Sequence, residues 1–230
     1  MNEGMKLSDY DDPLVQAKAG ELINPAASRE ENLRSIFMYL RDDIRFGFPP
    51  VWDKVRASET IRLGIGYCNT KATLFNALCK VAGIPSRIHT GLIDVKILKG
   101  IFPAYVFSIM PGAGGHSWTE VEVNGEWKPV DSYINDLPFY NTALKLLQST
   151  GRKTGYSLSM EKGPTSCEFN FGEKGFVHMG AVVEDHGVWD DFADYMASDK
   201  YLTLKGVRLM VFKSLMRTGN RNIMRIRAMK

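Results

Sequence analysis

Residues 28–42 carry Leu33, Ile36, Phe37 and Leu40, with Ile44 just beyond, at intervals of three and four, and Ser28 stands three positions ahead of Glu31. This spacing stacks apolar side chains along one helical face, and the Ser/Glu pair predicts a capping box at the helix start. Glycine and two prolines in Phe46-Gly47-Phe48-Pro49-Pro50-Val51-Trp52 end that pattern and predict an irregular aromatic loop. A second helix is expected from about Asn69 to Val81, stopped by Gly83 and Pro85, so that Cys68 falls in its first turn. Past Pro85 the pattern turns β-rich over 87–95, 102–110, 116–123 and 126–130. Asn124-Gly125 between the last two is the sequence signal of a tight hairpin. Residues 141–166 read as a variable connection, 168–183 as further strand-like material and 190–213 as mainly helical. With no internal repeat and no low-complexity linker, 1–230 is expected to form a single α+β domain with its core over about 30–135.

The hairpin also predicts a register. If Asn124-Gly125 is a two-residue turn, Val123 pairs with Glu126, which sets Trp118 opposite Asp131 and His116 opposite Tyr133. His116 and Asp131 then share one face as diagonal neighbours, within side-chain reach of each other. Such an aspartate orients the imidazole so that its other nitrogen faces a nucleophile. Cys68 is the candidate nucleophile. Unpaired amides at a helix N-terminus lower a thiol pKa, the Cys68 N–H can meet a developing oxyanion, and Gly66 leaves room for close approach. Trp118 lies on the same strand face as His116, where it walls the cleft or packs beneath it. Tyr67 and Trp52 are further candidates for the substrate side. Cys79, on the same helix among Leu78 and Val81, and Cys167 read as core; His89, His178 and His186 have no such relation to an aspartate, and His186, in a turn-like Asp185-His186-Gly187, reads as surface or packing.

Gly66-Tyr67-Cys68, Ala82-Gly83-Ile84-Pro85-Ser86-Arg87, His116-Ser117-Trp118-Thr119-Glu120-Val121 and Trp127-Lys128-Pro129-Val130-Asp131 together resemble the transglutaminase-like superfamily over about residues 30–135. The resemblance implies a papain-like α+β fold, with a catalytic cysteine at a helix N-terminus packed on an antiparallel sheet that carries histidine and aspartate. It implies Cys68, His116 and Asp131 as the catalytic set, a thioester acyl-enzyme, and a peptide or protein substrate, with hydrolysis and amine transfer both open. The family also holds inactive members, so fold alone leaves the substrate open.

Composition adds limits. The chain is 44% hydrophobic and 24% charged, which suits a packed core. Three cysteines in no metal-site spacing suggest neither a disulfide framework nor a zinc site, and no cofactor is expected. No apolar run reads as a leader or a membrane span, so a cytoplasmic protein is expected. The net charge of +3 conceals an asymmetry: residues 200–230 hold nine basic side chains and no acidic one. That basic segment is expected to dock on the protein's own acidic surface or to meet an acidic partner; nucleic acid is not expected. The alternative to an enzyme is a non-catalytic papain-like binding module that uses this segment.

Overall fold

The computed structural model describes residues 6–50, 53–108, 110–202 and 206–229, with 206–213 as backbone only. Helix α1 (Pro13–Leu22) starts with Asp12 accepting from the Leu14 N–H and with proline in its first turn. Helix α2 (Arg29–Asp42) opens on the expected capping box between Ser28 and Glu31, and buries Leu33, Ile36, Phe37 and Leu40. The two-residue strand β1 (Arg45–Phe46) pairs in parallel with β2 (Ile65–Gly66), on either side of the short helix α3 (Ala57–Leu63).

Helix α4 (Cys68–Val81) is the central post, buried on every face from Cys68 to Cys79. Gly83, at φ +65°, ends it in the left-handed conformation that glycine adopts without strain. Its burial encloses polar groups that must find partners inside. Lys71 is fully buried and donates to the carbonyls of Tyr133 (2.8 Å) and Ile134 (2.9 Å). Burial pushes this lysine down to about 7.

Strands β3 (Ser86–Asp94), β4 (Ala113–Val123), β5 (Glu126–Val130) and β8 (Val182–Trp189) make an antiparallel sheet in the order β5-β4-β3-β8. The hairpin register is the expected one, from Val123 opposite Glu126 to Thr119 opposite Val130. Asn124 and Gly125 turn at φ 52° and 81°, as a type I′ turn requires at both central positions.

Elsewhere the structure departs from the expectations. Residues 104–108 form a 3-10 turn, not a strand; Pro103 lacks the N–H a ladder needs, and its carbonyl accepts from Val106 instead. Helix α5 (Leu137–Ser149), capped by Asp136, takes up the first part of the supposed connection, and the small hairpin β6 (Thr154–Gly155) and β7 (Leu158–Ser159) follows within it. Residues 168–178 are irregular, and at their end the amides of Val177, His178 and Met179 go to the Asp131 carboxylate and so cannot join a ladder. Helix α6 covers only Phe192–Ala197, and α7 runs from Gly206 to Ala228.

Helix α7 lies against the body. Met216, Ile223 and Ile226 are buried at helical spacing. Asn220 holds both backbone groups of Phe48, each at 2.8 Å, and Arg227 pairs with Asp136 at 2.6 Å while donating to the Phe46 carbonyl. Gly219 sits so close to Phe102 that an added Cβ would come within 2.7 Å of its ring. Of the basic segment's side chains, Arg227 thus pairs with one acidic group, Asp136; Lys205 and Lys230, and the side chains of Arg208 and Lys213, lie outside what the structure describes.

Candidate active site

Cys68 and His116 line one cavity of about 440 Å³. α4 brings the cysteine to its first position, with Tyr67 as the residue before the helix, and β4 brings the histidine from the facing sheet. The backbone amide of Ser117, on β4, and those of Asn69 and Cys68 itself, at the helix terminus, reach toward the sulfur. Burial is nevertheless the larger effect. Cys68 is 7% exposed, and loss of water pushes its thiol up to about 12, aided by the nearby Asp53 carboxylate. The expected lowering of its pKa is therefore reversed. His116, 1% exposed, is pushed well below the ordinary histidine value by burial and by the neighbouring His178. The resting pair is a neutral thiol and a neutral imidazole.

Asp131 departs from its expected bond. Its side chain is fully buried, but it accepts from the amides of Val177 (2.9 Å), His178 (2.7 Å) and Met179 (2.9 Å). Neither ring nitrogen of His116 has a hydrogen-bond partner among the described residues. The register holds, but β5 ends at Val130, and beyond that residue the carboxylate satisfies loop amides that would otherwise be buried without acceptors. Burial pushes Asp131 up to about 6 against the pull of those donors.

The loop that Asp131 holds places His178 in the cavity wall, with its ring 5.2 Å from that of His116. His178 Nε2 shares a hydrogen bond of 2.6 Å with the Ser157 hydroxyl, which donates on to Asn135. Its Nδ1 has no partner among the described residues, and burial pushes its pKa down to about 3.

A second group of side chains surrounds the sulfur. Asn69 Nδ2 donates to Asp53 at 2.7 Å, which turns Oδ1 toward the Ser117 hydroxyl (2.9 Å) and the Cys68 thiol (3.4 Å). Asp53 also accepts from the hydroxyls of Tyr67 and Tyr201. Tyr67 is among the residues that line the cavity. Trp118 packs against the His116 ring, with centres 5.8 Å apart, stacks on His89 at 4.2 Å, and lines a separate depression together with Asp185. Trp52 lies outside the described residues. Gly66 serves packing: a Cβ there would meet Thr70 Oγ1 at 2.8 Å and Lys71 Cγ at 2.9 Å, so glycine lets α4 sit down on β2.

Of these partners, Asn69 adjoins the cysteine and carries a local signal. Asp53, His178, Ser157 and Tyr201 carry none, because tertiary contacts alone bring them to the cavity. No group of three metal-ligating side chains occurs among the described residues, and no helix among them is long and apolar enough to cross a membrane.

Two solved structures are similar to parts of the chain. One is a Cytophaga hutchinsonii protein provisionally named a cysteine protease, with 16% identity, a TM-score of 0.48, and coverage of 83% of this chain and 46% of that one. The other is a Parabacteroides distasonis protein provisionally named a protease, with 15% identity, a TM-score of 0.36, and coverage of 54% and 25%. The chain spans less than half the length of either. No curated protein matches the sequence. The profile of the Transglutaminase-like superfamily matches residues 16–132, just over half of the 230, and includes Cys68, His116 and Asp131. The chain belongs to the transglutaminase-like superfamily.

Proposed function

We infer that the protein is a thiol-dependent hydrolase or acyltransferase acting on a peptide or amide carbonyl. The observation that carries this reading is the convergence of Cys68, at the first position of α4, and the buried His116 on one cavity. His116, neutral at neutral pH, takes the thiol proton as the sulfur attacks the carbonyl carbon, so the thiolate forms only in the course of attack. The Cys68 N–H, at the open end of the helix, stabilises the oxyanion. On collapse the amine leaves with the proton from His116, and a thioester remains on Cys68. Water gives hydrolysis and an amine gives transfer, and exclusion of water from the cavity favours the second. Asp131 acts through position, by holding the loop that sets His178 beside His116.

The test is acylation by an activated ester followed by intact mass. Wild-type protein is expected to gain one acyl group on Cys68, and Cys68→Ala to gain none; equal labelling of both proteins overturns the reading.

A further inference from the structure

The cavity wall is divided in its chemistry. Cys68, Asn69, His116, Ser157 and His178 supply the polar part, and three ring nitrogens there, both of His116 and Nδ1 of His178, are buried with no partner among the described residues. Most of the remaining wall is apolar and includes Phe48, Ile93, Val95, Ile97, Leu215 and Met216. The described lining contains no lysine or arginine, and its carboxylate, Asp53, is engaged by Tyr67, Asn69 and Tyr201. Nothing charged in that lining is left to recognise a charged substituent.

We propose that this apolar wall is an acyl-side subsite, which takes an apolar group larger than methyl attached to the carbonyl that Cys68 attacks. The proposal rests on the thiol-enzyme reading and adds its substrate class. The volume, about 440 Å³, lies in the range of pockets that enclose small organic groups. Leu215 and Met216 come from α7, beyond the 16–132 covered by the superfamily profile. This chain's C-terminal helix therefore completes a wall whose other side, Phe48, Ile93, Val95 and Ile97, comes from the matched region. Asn220 and Arg227, which tie α7 to Phe48 and Asp136, hold that wall in register with the sulfur.

The experiment compares p-nitrophenyl acetate, butyrate and hexanoate on the full chain, reading nitrophenolate release and the mass adduct at Cys68. Full burial of each added methylene gives roughly a fourfold gain, so hexanoate is expected to acylate at least about tenfold faster than acetate. Leu215→Trp, which fills the subsite, and Leu215→Asn, which makes it polar, are each expected to bring the hexanoate-to-acetate ratio toward one. An N-acetyl-leucine ester serves as a further arm. If it matches hexanoate the subsite takes a peptide side chain; if it lags, a straight acyl chain. Equal rates for acetate and hexanoate overturn the subsite. A thiol-independent readout separates the two ideas: Cys68→Ala is expected to gain thermal stability from hexanamide and little from acetamide. If hexanamide stabilises Cys68→Ala but no ester acylates the wild type, the enzyme reading fails and the subsite stands. If neither amide stabilises it, the subsite fails whatever the esters do.

Discussion

At the scale of single residues, Cys68 is a contest between two effects of opposite sign. Its place at the first position of α4 and the amides around it favour the thiolate, whereas its removal from water favours the thiol, and burial wins. Iodoacetamide should therefore alkylate Cys68 at pH 8 roughly tenfold more slowly than a free cysteine, or slower still, with the rate still climbing above pH 9. A plateau near neutral pH, read by intact mass with Cys79 and Cys167 replaced, would show an ion pair at rest. Asp131 is the second case. Two buried amides and a partly buried one depend on its carboxylate, so Asp131→Ala should cost about 3 kcal/mol in urea unfolding. Loss of activity without that loss of stability would instead give Asp131 a direct bond to His116 in the working enzyme.

At the scale of elements, the hairpin and α4 follow local rules and α7 follows tertiary ones. Asn124-Gly125 supplies both positive-φ positions, so the turn, the register and the face of His116 were all legible from the chain. The end of α7 was not, because Arg217, Arg221 and Arg225 face solvent and look like a free basic tail, whereas Ile223 and Ile226 find their cover only on the folded body. Arg227→Ala leaves Asp136, whose side chain is 2% exposed, without its ion-pair partner, and should cost about 3 kcal/mol. Gly219→Val drives a branched side chain into Phe102 and should lower both the melting temperature and the hexanoate preference. Retention of that preference would detach α7 from the subsite.

At the scale of the whole molecule, the outer part of the sheet is held by a cross-strand charge cluster. His89 on β3 contacts Glu120 on β4 and Asp185 on β8, each at 2.8 Å, while Arg87 pairs with Glu120 and stands over Trp127. Burial pulls the His89 pKa down, but the two carboxylates outweigh it and hold it above the ordinary value. For a base raised on folding, the added stability is full below the unfolded value of about 6.5 and is lost as pH rises through the folded one. The gap in melting temperature between wild type and His89→Gln should thus be wide at pH 5.5 and narrow at pH 8. A gap independent of pH would mean that stacking on Trp118, not charge, is what His89 supplies.

Local physics let the sequence by itself determine the capped helix α2, the start of α4 at Cys68, its stop at Gly83, and the hairpin register that turns His116 inward. These depend on capping groups, glycine conformations and a period of two or 3.6, all carried by near neighbours. Only the tertiary structure decided that Asp131 serves the loop at 177–179, that His178, Asp53 and Ser157 join the cavity, and that α7 closes its apolar wall. Those outcomes depend on which buried amides lack an acceptor and which apolar faces lack cover once the chain is compact, and no spacing along the chain encodes them.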